Sequence, residues 1–536
     1  MGKKGNLCAP GPTPSFKPFE DDFQIRGTHY FGDTWPINFW NSFREKHIGK
    51  HFKQIRKDGF NTIILVLPWN EFQRPNSMGK RNGLIFKRFQ TVIENAQLHG
   101  LHFILRIGYF WDLDPDCNTC INRHIKLLTD DVIFNEFLNY IESVYTIAKK
   151  YNNYLFSFLA WEDFWDIVAR CRHPFEARLD YAKKTGYQDF IRDNYELAEM
   201  GPKYGENFPS WDSVPIPAYD TPAMVYLFKF WDHVLIERIF KPAKALIPDL
   251  SMEVRVDADP IKSPSGDIVS WQEHFATYQL PETDVVIIYY APFIFAQNKG
   301  ERLNAKKALK NLELLLKKVK NNVKNRKIFI DQFNFIDNTP KFEHNAKIDE
   351  NHLGEFLNNA AQIIKEKTCG YAIWTYRDYE WSVLYNTVFE MGFDGWKVNG
   401  FANLIEDDNF GKIVKLFHGS TISQDVHANR VARFMNDHSR DTILRIIARA
   451  KQNGNLKIFV NNSVIDIVKL TKTFEQYNIE VGNLKEYRLL IEALDAEVEI
   501  DEINLFRNIQ HGSLYYTDFK EERNIKYLRN MNVTLT

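Results

Sequence analysis

The chain has 536 residues, more than one ordinary domain needs, and its 68 Lys and Arg balance 69 Asp and Glu, so no net charge draws it to nucleic acid or to an anionic membrane. No run of about 18 apolar residues occurs, which argues against a membrane-spanning helix, and the opening MGKKGNLCAPGPTP has no apolar signal core. A cytoplasmic protein fits this start, as does a secreted or cell-envelope one whose signal was removed. Five cysteines in such a length exclude a disulfide-built scaffold, and the single Cys117-x-x-Cys120 would want a second pair or histidines at ligand spacing to make a zinc site, so a loop disulfide or two idle thiols is expected.

Residues 1–23 read as an extension. From 24 onward, short runs rich in β-branched and aromatic residues alternate with amphipathic stretches: QIRGTHYF (24–31), NTIILVLPW (61–69), LHFILRIGYF (101–110), YLFSFLAWE (154–162), SMEVRVDAD (251–259), VVIIYYAPF (285–293), KIFIDQFNF (327–335) and GYAIWTYRD (370–378). This is the pattern of a parallel sheet wrapped by helices. Gly59, Gly100 and Gly370 follow helical stretches and suit the left-handed residue that ends a helix. Eight units favour a closed (β/α)8 barrel over an open sheet, and no Gly-rich phosphate loop follows the first strand, so no nucleotide cofactor is expected. The barrel is expected over 24–405, interrupted by a long irregular excursion at 163–220, and loops of that length in compact domains are commonly functional. Beyond it, TILRIIARA, LKIFVNNSVIDIV and VEIDEINLF predict an antiparallel β-sandwich of jelly-roll type over 406–536.

Active-site groups of such barrels lie at the C-terminal ends of the strands. The residues found there are His29, Trp69 and Asn70, Arg106, Trp161 and Glu162, Tyr289 and Tyr290, Asp331 and Gln332, and Trp374, with Trp111 just beyond the third strand. Arg255 and Asp257 end the fifth run. Glu162, reached through the apolar LFSFLA, has the setting that suits a general acid, although an ion pair with Arg106 or Arg255 would explain it equally. The abundance of aromatic residues, 15% of the chain with 12 Trp, suits either a large core or stacking on sugar rings.

The chain resembles the clan A glycoside hydrolases. FLAWEDFW sets Glu162 on the strand-four acid/base position, with Trp161 where the family has asparagine. HFKQIRKDGFNTIILVLPWNEFQ followed by NAQLHGLHFILRIGYFWDLD is similar to the opening of the β-galactosidase families 35 and 42, and GYAIWTY is similar to the strand-eight tryptophan platform. The resemblance implies a retaining hydrolase of β-linked oligo- or polysaccharide, with no cofactor or metal. It also implies a substrate site formed by His29, Trp69, Asn70, Arg106, Trp111, Trp161, Tyr289, Tyr290 and Trp374.

Strand seven departs from that pattern, because KIFIDQFNF places Gln332 where the nucleophilic Glu belongs. An amide cannot form a glycosyl ester. Three accounts remain: a Glu→Gln change that holds substrate in place, a natural non-catalytic sugar-binding barrel, or Asp331 in the missing role. Strand alternation weighs against the last, since it turns Asp331 away from the face of Gln332.

Overall fold

The computed structural model describes residues 23–536 apart from 75–79, 110–125, 161–169, 220, 255–260, 263–267, 270–279, 281, 297, 299, 324, 337–344, 428–441, 483–485, 510–511 and 513. The strands β1 (Ile25–His29), β2 (Thr62–Pro68), β3 (His102–Tyr109), β4 (Tyr154–Leu159), β5 (Leu250–Val254), β6 (Val285–Tyr290), β7 (Lys327–Phe333) and β8 (Gly370–Ile373) close into one barrel in chain order. All neighbouring pairs are parallel, β8 returning to β1. Strands such as β2 (TIILVLP) and β6 (VVIIYY) read as unbroken apolar runs because one face fills the barrel and the other meets the helices.

The helices α1 (Glu45–Lys57), α2 (Gly83–Leu98), α3 (Asp131–Ala148), α4 (Met224–His233), α5 (Ala305–Val323) and α6 (Leu353–Lys367) belong to that outer layer. In α1, Ile48, Phe52 and Ile55 recur at helical spacing and are the buried ones. Gly59 and Gly100 take φ of 86° and 65°, as expected of residues that end a helix. Gly370 does a different job: a Cβ there would lie 2.2 Å from the Ile25 carbonyl oxygen. Its bareness lets β8 approach β1 and close the barrel.

The 163–220 excursion is more regular than its sequence suggests. Its described part holds helices at Phe175–Thr185, Tyr187–Asn194 and Leu197–Tyr204. Gly186 and Gly205, at φ of 78° and 77°, end two of them. Gln188 donates to the carbonyls of Asp212 and Val214, which ties the proline-rich end of the excursion onto these helices.

The strands β9 (Tyr379–Ser382), β10 (Lys397–Asn399), β11 (Ala402–Asp407), β12 (Gly411–Leu416), β13 (Thr421–His427), β14 (Thr442–Arg449), β15 (Gly454–Val460), β16 (Ser463–Leu470), β17 (Glu475–Gly482), β18 (Glu486–Ala493) and β19 (Val498–Ile509) form two antiparallel sheets. One runs β11-β12-β19-β14-β17 with β9 also on β19, the other β10-β13-β18-β15-β16. Leu444, Ile446, Leu456, Ile458, Ile491 and Ile503 lie in their shared core. The sandwich therefore begins before residue 406, and its early strands β10 and β11 have largely exposed side chains that give little apolar signal. The chain also does not end in the sandwich: α7 (Ile525–Thr534) packs back against the barrel, where Asn532 meets Asp58 and Tyr371.

Candidate functional site

Alternation along the strands decides what faces the barrel interior. Ile25, Ile64, Ile104, Phe158, Ile287 and Phe329 meet there as a packed floor. Counting on by twos toward the C-terminal ends, His29, Arg106, Tyr289, Asp331 and Trp374 share this facing, and Ser251 and Glu253 hold it on β5, whose Leu250 and Met252 join the outer core. These side chains form the layer above the floor.

On β7 the alternation breaks. The register against β6 shifts between Ile330 and Gln332, so that Ile330 pairs with Ile288 and Gln332 with Tyr289. This is the signature of a bulge, which inserts an extra residue and re-aims its neighbours. Ile330 and Phe333 both face the helices, while Asp331 bonds to His29 and Gln332 to Arg106. Both side chains thus face inward: alternation from Phe329 carries Asp331 inward, the bulge brings Gln332 in beside it, and the expectation that the two face opposite ways is corrected.

Each inward polar group has a specific partner. Arg106 Nη2 donates to Glu253 Oε2 at 3.2 Å, with both side chains fully buried. With its oxygen turned to the guanidinium, the Gln332 amide accepts from Arg106 Nη2 at 2.9 Å and Nη1 at 2.5 Å. His29 Nε2 lies 3.1 Å from Asp331 Oδ1 and 3.0 Å from the Asp331 carbonyl oxygen. Two acceptors at one nitrogen place the imidazole proton on Nε2. Trp374, partly exposed, meets the His29 ring edge-on at 5.0 Å, and the Arg106 guanidinium lies 5.9 Å from its ring centre. Asn334 Nδ2 donates to the Tyr289 hydroxyl at 3.5 Å.

Other expected site residues are placed elsewhere. Trp69 is fully buried against Phe137 and Tyr140 of α3, and its Nε1 donates to Gln73 Oε1 at 2.6 Å. Tyr290 stacks on Phe333 and on Phe356 of α6. Both point into the helix layer, because each sits one residue out of phase with the inward set. Burial raises the Tyr290 hydroxyl far above its usual pKa. Asn70 is buried on the turn Trp69–Phe72 that follows β2. Trp111, Trp161 and Glu162 lie outside the described residues, as do Arg255, Asp257, Cys117 and Cys120. Among the described residues, no group of three His, Cys, Asp or Glu side chains could hold a metal ion, and no helix is long and apolar enough to cross a membrane.

Glu253 is the site residue that the sequence reading missed. Its signal was available: in SMEV, Ser251 and Glu253 are the polar partners of two apolar residues, which marks the inward face of a strand.

No protein-family model and no curated protein matches the chain. Solved structures that resemble it include an exo-β-1,4-mannosidase from Opitutaceae bacterium strain TAV5, at 14% identity over 67% of this chain and 53% of that one, with a TM-score of 0.39. A GH42 β-galactosidase from G. stearothermophilus matches at 11% identity over 68% of this chain and 52% of that one, with a TM-score of 0.47. A GH5_18 protein from Streptomyces cattleya, in complex with GlcNAc, matches at 14% identity over 66% and 72%, with a TM-score of 0.41. The chain spans about half the length of the mannosidase and the galactosidase.

Proposed function

We propose that the barrel mouth takes a β-linked oligo- or polysaccharide, and that the chain is a retaining-type glycoside hydrolase in which an amide occupies the nucleophile position. The observation that carries this reading is Gln332 itself, seated at the end of β7 inside a closed barrel, on the Arg106 guanidinium that lies 5.9 Å from the Trp374 ring centre. A carboxylate at that position would attack the anomeric carbon while Glu162 protonates the leaving oxygen, and Glu162 would then activate water. With Gln332 in place the glycosyl ester cannot form, so this double-displacement route is closed in the chain as it stands.

The test is hydrolysis of a panel of β-linked glycans by the chain as it stands and by the Gln332→Glu variant, with glycan binding measured on both. Gain of hydrolysis with retained configuration in the variant supports the reading. A second reading, a natural sugar-binding barrel without catalysis, draws support from the Arg106–Glu253 pair, since Glu253 already balances the arginine that a carboxylate at 332 would otherwise answer. Binding by both proteins with hydrolysis by neither would select it. Failure of both to bind any glycan would overturn both readings.

A further inference from the structure

Strand β9 (Tyr379–Ser382) belongs to both halves of the molecule. Antiparallel pairing with β19 places it in one sheet of the sandwich. It also lies against the loop that follows β1, where the Glu380 N–H donates to the Asp33 carbonyl oxygen at 2.8 Å and Thr34 bridges to Glu380. Its side chains divide by strand alternation. Tyr379 and Trp381 join the barrel core, whereas Glu380 points to polar groups of β14 and β19.

On the barrel side, the rings of Trp35 and Trp381 stack with centres 4.6 Å apart and planes at 17°. Trp35 in turn meets Trp374 edge-on at 5.7 Å, and Phe31 lies 5.1 Å from Trp374 and 5.7 Å from Tyr379. The wall of the mouth that carries Trp374 is therefore continuous with β9. The indole nitrogens of Trp35 and Trp381 are both buried with no hydrogen-bond partner among the described residues. Packing holds these two rings, so their position follows the backbone that carries them.

On the sandwich side, Arg445 of β14 donates to both oxygens of Glu380, from Nη1 at 2.6 Å and from Nη2 at 2.7 Å. Asn504 Nδ2 donates to Glu380 Oε2 at 2.9 Å, and Arg445 Nε donates to Glu502 Oε1 at 2.9 Å. One guanidinium thus holds two carboxylates. A two-pronged bond of this kind fixes direction as well as distance.

We propose that Arg445, acting through Glu380, is a positioning residue for the aromatic wall of the barrel mouth, so that the sandwich sets how well Trp374 holds a sugar ring. The use of the wall for sugar rests on the function proposed above. Without Arg445, Glu380 and Glu502 stand as neighbouring like charges, and removing one partner of a buried pair leaves the other uncompensated. Glu380 then keeps the uncharged Asn504 amide, β9 shifts, and Trp381 moves from its place against Trp35.

Circular dichroism tests the positioning without any ligand. Two indoles stacked this closely couple electronically and give a paired band, which Trp35→Phe assigns by removing it. Arg445→Met and Glu380→Ala should both weaken that band, and each should lower glycan affinity by up to about tenfold, the loss expected for Trp374→Ala. Glu380→Gln, which keeps one acceptor oxygen, should fall between these variants and the parent. Arg449→Met is the control: Arg449 Nε donates to Glu499 Oε2 at 2.6 Å at the other end of the same two strands, and its loss should leave band and affinity unchanged. Should Arg445→Met fail to fold, Glu380→Ala decides, since Arg445 keeps Glu502 there. An unchanged band in folded Glu380→Ala overturns the proposal, as does an equal change in Arg449→Met. A weakened band with unchanged glycan affinity overturns the link to Trp374. Absence of glycan binding by the parent overturns the proposed function instead, and the band still decides whether Arg445 positions the wall.

Discussion

Arg106 Nη2 lies 3.2 Å from Glu253 Oε2, joining the third and fifth strands across the barrel interior, with both side chains fully withdrawn from solvent. Removing one partner of such a pair leaves a buried charge uncompensated, so Glu253→Gln should destabilise the fold by about 3–5 kcal/mol. Adding Gln332→Glu to that variant should recover part of the loss, because the guanidinium that holds the Gln332 amide then meets a carboxylate. Equilibrium unfolding of the parent, both single variants and the double variant measures the coupling, expected at about 1 kcal/mol or more. Strict additivity would show that residues 253 and 332 do not share Arg106.

Trp374 is the partly exposed aromatic of the inward layer, with His29 on its edge and Arg106 near its face. Trp374→Ala should lower glycan affinity about tenfold, equivalent to about 1.4 kcal/mol, while Trp69→Phe should leave it unchanged. Titration calorimetry on both variants checks this, and equal effects would contradict the placement of Trp69 in the helix layer.

The C-terminal segment is bound to the barrel through a buried carboxylate. Asp58, at the end of α1, accepts from the Tyr376 and Tyr515 hydroxyls at 2.6 and 2.8 Å and from Arg529 Nε at 2.8 Å. Asp58→Asn replaces one acceptor oxygen with a donor and removes the charge, and should cost about 2–3 kcal/mol. Hydrogen exchange should show α7 (Ile525–Thr534) losing protection, with glycan binding retained.

Burial pushes Asp249 up to about 6 from its ordinary 3.8, although the Tyr154 hydroxyl donates to it at 3.1 Å and Lys244 stands nearby. A carboxyl whose pKa is raised on folding stabilises the native state fully only while it is protonated in both states. Its contribution is therefore intact below about pH 4 and is lost as pH rises through about 6. Asp249→Asn should be more stable than the parent at pH 7 and equal to it near pH 4. Thermal midpoints of both proteins at the two pH values give the comparison, and a difference that does not change with pH would refute it.

The sequence by itself determined the barrel, because eight short β-branched and aromatic runs, several of them as continuously apolar as TIILVLP and VVIIYY, alternate with amphipathic stretches, and Gly59 and Gly100 mark where helices hand over to strands. It also determined which residues stand at the strand ends, since that follows from where each apolar run stops. Tertiary structure decided which of these residues meet. Facing alternates predictably only while every residue is paired in turn, and the bulge on β7 is set by how β7 pairs with β6, which no local pattern in KIFIDQFNF reveals. That one extra residue turns Gln332 inward beside Asp331. The same phase rule sends Trp69 and Tyr290 to the helix layer and brings in Glu253, whose partner Arg106 is 147 residues away in the chain. Charge compensation between residues so distant exists only once the barrel has closed.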